Sequence, residues 1–192
     1  GGVGSSTICH NVAWTLSEYL KSNVIVADLD ETGGRQTVDL AGAKGGVAVF
    51  RHCDVTRTED LAGAFACAFE HFGRLDIAFN NAGIGGEDLF ADDPGDWAKV
   101  IDIDLTAVID ATRIAVREMR RSGRGGVIIN TASMGGLLPM AGSPVYAAAK
   151  AGVVNFTRSL AYLAEEANIR VNAICPSFTD TPLVRRSGDE HV

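Results

Sequence analysis

No apolar run in this chain approaches the roughly twenty residues a membrane-spanning helix needs, so a membrane partner is not expected. No signal-peptide pattern is visible, and a cytoplasmic setting follows as the expectation. Cationic surplus is missing too: Lys and Arg number 17 against 24 Asp and Glu, a net charge of −7. With no basic stripe either, nucleic acid is excluded as a partner. Cysteine is scarce, with four residues at 9, 53, 67 and 175 and no CxxC spacing. That pattern reads as free, buried thiols in a reducing compartment. The four His residues show no ligand spacing, so no metal is expected. Repeats, low-complexity tracts and linkers are lacking as well. What remains is 192 residues, 46% hydrophobic and 21% charged, enough for one globular domain over 1–192 with a true core.

The stretch Ser143-Pro-Val-Tyr146-Ala-Ala-Ala-Lys150 reads as a helix start. Ser143 suits the N-cap, and Pro144 fits the first turn because its missing N–H would be unpaired there. Val145, Ala149, Val153, Phe156, Leu160 and Leu163 recur at helical spacing and should face a core. Tyr146 and Lys150, four apart, share one face. An ammonium beside a phenol favours the phenolate and should lower the Tyr pKa toward neutrality. A surface Tyr with a solvated Lys would give the same isolated pattern. Thirteen residues earlier, Gly126-Val-Ile-Ile-Asn-Thr-Ala-Ser133 reads as a buried strand ending at a hydroxyl, where ligands bind in open α/β sheets.

Ser133, Tyr146 and Lys150, with Asn80-Asn81-Ala82-Gly83 before them and Asn172-Ala-Ile-Cys-Pro176 after, resemble the short-chain dehydrogenase/reductase family from about Val24 to Leu183. Within it, Gly136–Tyr146, Phe156–Ser159 and Asn172–Phe178 are similar to NAD-dependent 15-hydroxyprostaglandin dehydrogenases. Those members carry a substrate-contacting Gln where this chain has Ser143. The resemblance implies a doubly wound, Rossmann-like α/β fold with a parallel sheet. It also implies hydride transfer between NAD(H) and a secondary alcohol or ketone. Tyr146 would be the acid/base, Lys150 its partner and a ribose ligand, and Ser133 the group that holds the carbonyl oxygen. Asn81, Ala82 and Gly83 would lie along the cofactor, Asp54 and Val55 at its adenine, and Pro176, Ser177 and Thr181 at its nicotinamide. A homodimer or homotetramer is implied through two long helices, about 94–121 and 143–166. The apolar loop Met134–Gly142 would face a partly apolar alcohol or ketone substrate.

Strands are expected near 24–28, 47–53, 75–80, 126–132 and 169–174, with a helix over 8–21. Asp28, ending the first of these strands about twenty residues past Gly2-Val-Gly4-Ser-Ser-Thr7, is placed to bind an adenosine ribose, with Asp30 as a lesser candidate. Gly2 and Gly4 give GxGxxG with Thr in the third place, but the family's TGxxxGxG frame fits poorly. A pyrophosphate loop and a frayed terminus both remain open. Thr56-Arg-Thr-Glu59 looks like a capping box for a helix that Gly73 stops, with Leu61, Ala64, Phe65, Ala68 and Phe72 on its stripe. For Asp54 itself, an Asx turn ahead of that box is the alternative to an adenine contact, and both can hold. Asp93-Pro94 should open the next helix, with Trp97, Val100, Ile101, Leu105, Val108, Ile109 and Thr112 as its apolar stripe. Asp104 falls on that stripe, where a carboxylate is costly unless paired or protonated. The family usually has Asn there, holding a water that links the Lys to solvent. Asp104 either keeps that water or binds Lys150 directly. Relative to the family's sheet, the first and last strands are lacking, so an incomplete gene product is the expectation. A noncatalytic cofactor-binding or association module is the rival to the enzyme.

Overall fold

The computed structural model describes residues 13, 15–16, 22–43, 45–86, 88–92 and 95–177. The Gly turn and Thr181 lie outside the described residues. So does most of the helix expected over 8–21, of which Ala13, Thr15 and Leu16 are described and helical. The fold is α/β, with every described strand pair parallel. The chain forms two compact units, one holding the described residues through Arg74, the other running from Leu75 onward.

In the first unit, β1 (Val24–Asp28) pairs with β2 (Ala48–His52) from Val24↔Ala48 to Asp28↔His52. Between them lies α1 (Glu31–Gly42), a helix the sequence pattern did not announce. Gly33 and Gly34 weaken its intrinsic propensity, and tertiary packing overrides that cost. A Cβ at Gly34 would collide with the Phe50 ring, so a glycine there lets the helix lie close on the strand. Asp30 caps α1 by accepting the Thr32 N–H at 3.0 Å. After β2, the expected capping box is not formed. Asp54 Oδ1 accepts both the N–H and the hydroxyl of Thr56, at 3.0 and 2.7 Å. With the hydroxyl spent in that Asx turn, Arg57 takes the cap position of α2 (Thr58–Phe72) without a side-chain bond. Gly73 ends α2 in the left-handed conformation, φ 69°.

In the second unit the strand order is β3-β4-β5, with β3 Ile77–Asn80, β4 Gly126–Thr131 and β5 Ile169–Ile174. All five strands fall within two residues of their expected bounds. The helix expected from Asp93-Pro94, a pair outside the described residues, starts later. Asp96 caps α3 (Trp97–Ile101) by accepting the Lys99 N–H. A π-helical turn, Asp102–Thr106, then leads into α4 (Ala107–Ser122). That wider turn slips the helical phase by about one residue. Trp97, the first residue of α3, and Ile109, both expected on the buried stripe, are 51% and 38% exposed, while Ile103 and Ala107 are buried. The helix α5 (Pro144–Ser159) stops short of the expected end, and a turn separates it from α6 (Leu163–Ala167). Ala149, Val153 and Leu163 of its predicted stripe are buried, whereas Val145, Phe156 and Leu160 are only half-buried. Val108, Ala132, Val153 and Val154 form a core cluster joining α4, β4 and α5. Among the described residues no helix is long and apolar enough to cross a membrane.

Candidate active site

Parallel pairing fixes where the site lies. Asn80 registers with Asn130, and Thr131 with Ile174, so the chain leaves β3, β4 and β5 at the same edge. Asn81, Ser133 and Pro176 all follow those strand ends. The Met134 N–H donates to the Pro176 carbonyl at 3.0 Å, closing the exits of β4 and β5 together. Ser133 begins a 3-10 turn, Met134–Gly136. A Cβ on Gly136 would come within 2.7 Å of the Lys150 carbonyl, so a glycine there lets the turn seat directly on α5.

Ser133 Oγ accepts the Gly135 N–H at 3.1 Å, which leaves its own proton free to donate. Its hydroxyl lies close enough to the Tyr146 phenol to draw the phenol's pKa down. Lys150 Nζ lies 5.7 Å from the Tyr146 ring centroid and donates to the Thr131 carbonyl at 3.1 Å. Its side chain is 4% exposed. Asp104, in the middle of the π-helical turn, is fully buried, and its Oδ2 stands 3.7 Å from Lys150 Nζ. That separation makes an ion pair too long for a hydrogen bond. Asp104 Oδ1 accepts the Ile84 N–H at 2.8 Å, and Oδ2 has no hydrogen-bond partner. Asp104 thus faces Lys150.

The electrostatics correct one expectation. Burial raises the Tyr146 phenol above its usual range; the Ser133 hydrogen bond opposes this, and the Asp104 charge adds to it. The sequence reading expected Lys150 to lower it. The ammonium lies over the ring at 5.7 Å and also faces Asp104, and burial prevails at the phenol. Lys150 itself is lowered by burial, with Asp104 pulling it back up. Burial pushes Asp104 up to about 6, against the pull of Lys150 and the Ile84 N–H.

A second polar cluster escaped the sequence reading. Asn130, fully buried on β4, accepts from Asn80 Nδ2 at 2.8 Å and Thr112 Oγ1 at 3.3 Å, and donates to Thr157 Oγ1 at 3.0 Å. It thus ties β3, α4 and α5 to the central strand. Thr131 follows, donating its hydroxyl to Asn81 Oδ1 at 3.0 Å. The available signal was an Asn inside an apolar strand, which must find partners if buried. Ser143 holds the N-cap position of α5 with Pro144 in the first turn, as expected; its hydroxyl makes no cap bond and donates instead to the Gly86 carbonyl at 2.9 Å, fastening the loop after β3 to the start of α5.

Elsewhere the expected cofactor residues sit as follows. Asp28 ends β1, half-buried, with Oδ1 accepting the Asp30 N–H at 2.9 Å. Asp54 forms the turn described above, its N–H donating to Asp60 Oδ2, and Val55 is half-buried. Ala82 and Ser177 are exposed, while Asn81, Gly83 and Pro176 are half-buried. At Gly83 a Cβ would stand 3.2 Å from Asp104 Oδ1 and 3.3 Å from Lys150 Nζ. Among the described residues, no group of three or more His, Cys, Asp or Glu is placed to hold a metal. Cys53 and Cys67 are buried and free, and Cys175 is half-buried and free. Cys9 lies outside the described residues.

The parallel sheet thus brings Ser133 to its carboxyl edge, with Tyr146 and the buried Lys150 one turn apart on α5. The chain belongs to the short chain dehydrogenase family, whose model matches residues 3–191. Among curated relatives, the Bos taurus 15-hydroxyprostaglandin dehydrogenase [NAD(+)] is 43% identical over 141 residues, 71% of this chain and 50% of that enzyme. The cyclohexanol dehydrogenase of Acinetobacter sp. (strain SE19) is 35% identical over 95% of this chain and 71% of that enzyme. The chain spans about half the length of the prostaglandin dehydrogenases it matches. Among solved structures, a short-chain type dehydrogenase/reductase from Mycobacterium marinum superposes with TM-score 0.90 at 31% identity, covering 97% of this chain and 74% of that one. A Burkholderia phymatum short chain dehydrogenase/reductase in complex with NAD gives TM-score 0.84 at 28% identity, covering 92% and 65%.

Proposed function

We propose that this protein is an NAD-dependent oxidoreductase acting between secondary alcohols and ketones through Ser133, Tyr146 and Lys150. The observation that carries the reading is Tyr146 one helical turn from a buried Lys150, whose Nζ lies 5.7 Å from the phenol ring, beside Ser133 at the end of β4. The turn Asn81-Ala82-Gly83 suits a cofactor: Ala82 is exposed, and a side chain at Gly83 would crowd Asp104 and Lys150. Asp28, Asp54, Val55, Pro176 and Ser177, with Gly2, Gly4 and Thr181 outside the described residues, complete the proposed cofactor set. Bound NAD(H) supplies the hydride donor or acceptor. Ser133 donates a hydrogen bond to the substrate oxygen and orients it toward the phenol. Tyr146 gives its proton to that oxygen in reduction and takes the hydroxyl proton in oxidation. Lys150 stabilises the phenolate when the proton has left. Met134, Leu137 and Leu138 are exposed beside Ser133 and suit a partly apolar substrate.

The test is Tyr146→Phe, assayed for NAD(H)-linked turnover with a panel of cyclic secondary alcohols and hydroxyprostanoids and their ketones. Turnover should fall by about 10²-fold or more, with NAD binding by fluorescence nearly unchanged. Equal turnover in the variant refutes the assignment. The rival, a noncatalytic cofactor-binding or association module, draws on Lys150 being neutralised by Asp104. It is favoured only if the unmodified protein binds NAD and turns over nothing in the panel.

A further inference from the structure

The family's usual Asn and this chain's Asp104 are nearly the same shape, yet an ionised carboxylate does something an amide cannot. Resting on the Ser-Tyr-Lys reading above, we propose that Asp104 is a positioning residue that clamps the Lys150 ammonium in a buried ion pair and thereby withholds its charge from Tyr146. The geometry supports this from three sides. The π-helical turn carries Asp104 inward, fully buried. The loop after β3 fixes the carboxylate through the Ile84 N–H, at 2.8 Å to Oδ1. That leaves Oδ2 with no hydrogen-bond partner, aimed at Lys150 Nζ across 3.7 Å. β4 holds the ammonium from the other side through the Thr131 carbonyl. A buried carboxylate oxygen with no hydrogen bond is costly unless a counter-charge faces it, and Lys150 is that counter-charge.

The clamp is pH-sensitive. The groups facing Asp104 are Lys150 and Tyr146 from α5 and the Ile84 N–H from the loop; β4 contributes the uncharged Thr131 carbonyl to Lys150. Burial holds Asp104 at about 6. Above that pH the carboxylate is charged and offsets Lys150. Below it the carboxyl takes a proton, the offset disappears, and the uncompensated ammonium stabilises the phenolate. The site then behaves as though Asn stood at 104.

The experiment needs no cofactor for its first readout. Phenolate absorbance of Tyr146 is followed as the difference between each protein and its Tyr146→Phe counterpart, with Asp104 and with Asp104→Asn. The Tyr146 midpoint should drop by about one pH unit in Asp104→Asn; an unchanged or higher midpoint overturns the proposal. A second readout is ketone reduction over about pH 5 to 8. Asp104→Asn should be several-fold faster than the parent above pH ~7, and the two should converge below about pH 6. A ratio that stays flat across that range also overturns it. If neither protein reduces any ketone, the oxidoreductase reading fails while the absorbance titration still judges the clamp. Asp104→Ser carries the same titration should Asp104→Asn lose its cooperative melt.

Discussion

Two buried polar clusters of the second unit meet strand β4 at consecutive residues, and they differ in kind. The first is built on Asn130: neutral, with its side-chain oxygen accepting twice and its amide donating to Thr157. The second runs from the Thr131 carbonyl through Lys150 to Asp104: charged, with one carboxylate oxygen that no hydrogen bond reaches. A satisfied neutral network rigidifies and specifies packing. A charged group left incompletely satisfied costs stability, and such features concentrate where chemistry is done. The contrast therefore separates a cluster that holds the sheet to its helices from one that tunes a proton.

That separation is breakable. Replacing Asn130 by Ala takes a hydrogen-bond partner from the buried Thr112 and Thr157 and from Asn80 and should cost about 3 kcal/mol by denaturant unfolding. Where the variant is still folded, its Tyr146 midpoint should match the parent's. A stable Asn130→Ala protein with a displaced Tyr146 titration would merge the two clusters into one. A smaller effect sharpens the line. Thr157→Val removes one acceptor from the Asn130 amide and should cost about 1 kcal/mol, again without moving Tyr146.

Much of this was readable in the linear chain, for physical reasons that also mark where reading stops. The strands were legible because short runs such as Val24–Asp28 and Ile169–Ile174 are rich in β-branched residues. Tyr146 and Lys150 were legible because helical periodicity alone puts them on one face. The α1 helix was hidden because Gly33-Gly34 argues against a helix, and only the Phe50 ring lying against Gly34 explains why glycine is there. The π-helical turn between α3 and α4 went unread because it leaves no periodic signal of its own. Ser143 was legible as the N-cap and holds that position, but its hydroxyl goes to the Gly86 carbonyl; the Thr56 hydroxyl, read as part of a capping box, goes to Asp54 Oδ1. Asp104 was conspicuous as a carboxylate on an apolar stripe. That it would neutralise Lys150, leaving burial to raise the Tyr146 phenol, depended on distances that no spacing rule contains.

The most direct test of the central claim follows one hydrogen. Members of the alcohol panel carrying deuterium on the carbinol carbon are incubated with NAD and the protein, and the reduced nicotinamide is examined by NMR and mass spectrometry. Direct transfer at this site predicts one deuterium per reduced nicotinamide, on a single face of the ring, and none when Tyr146 is Phe because no reduced cofactor accumulates. Reduced nicotinamide carrying solvent hydrogen instead, or equal deuterium transfer by the Tyr146→Phe protein, would contradict the account.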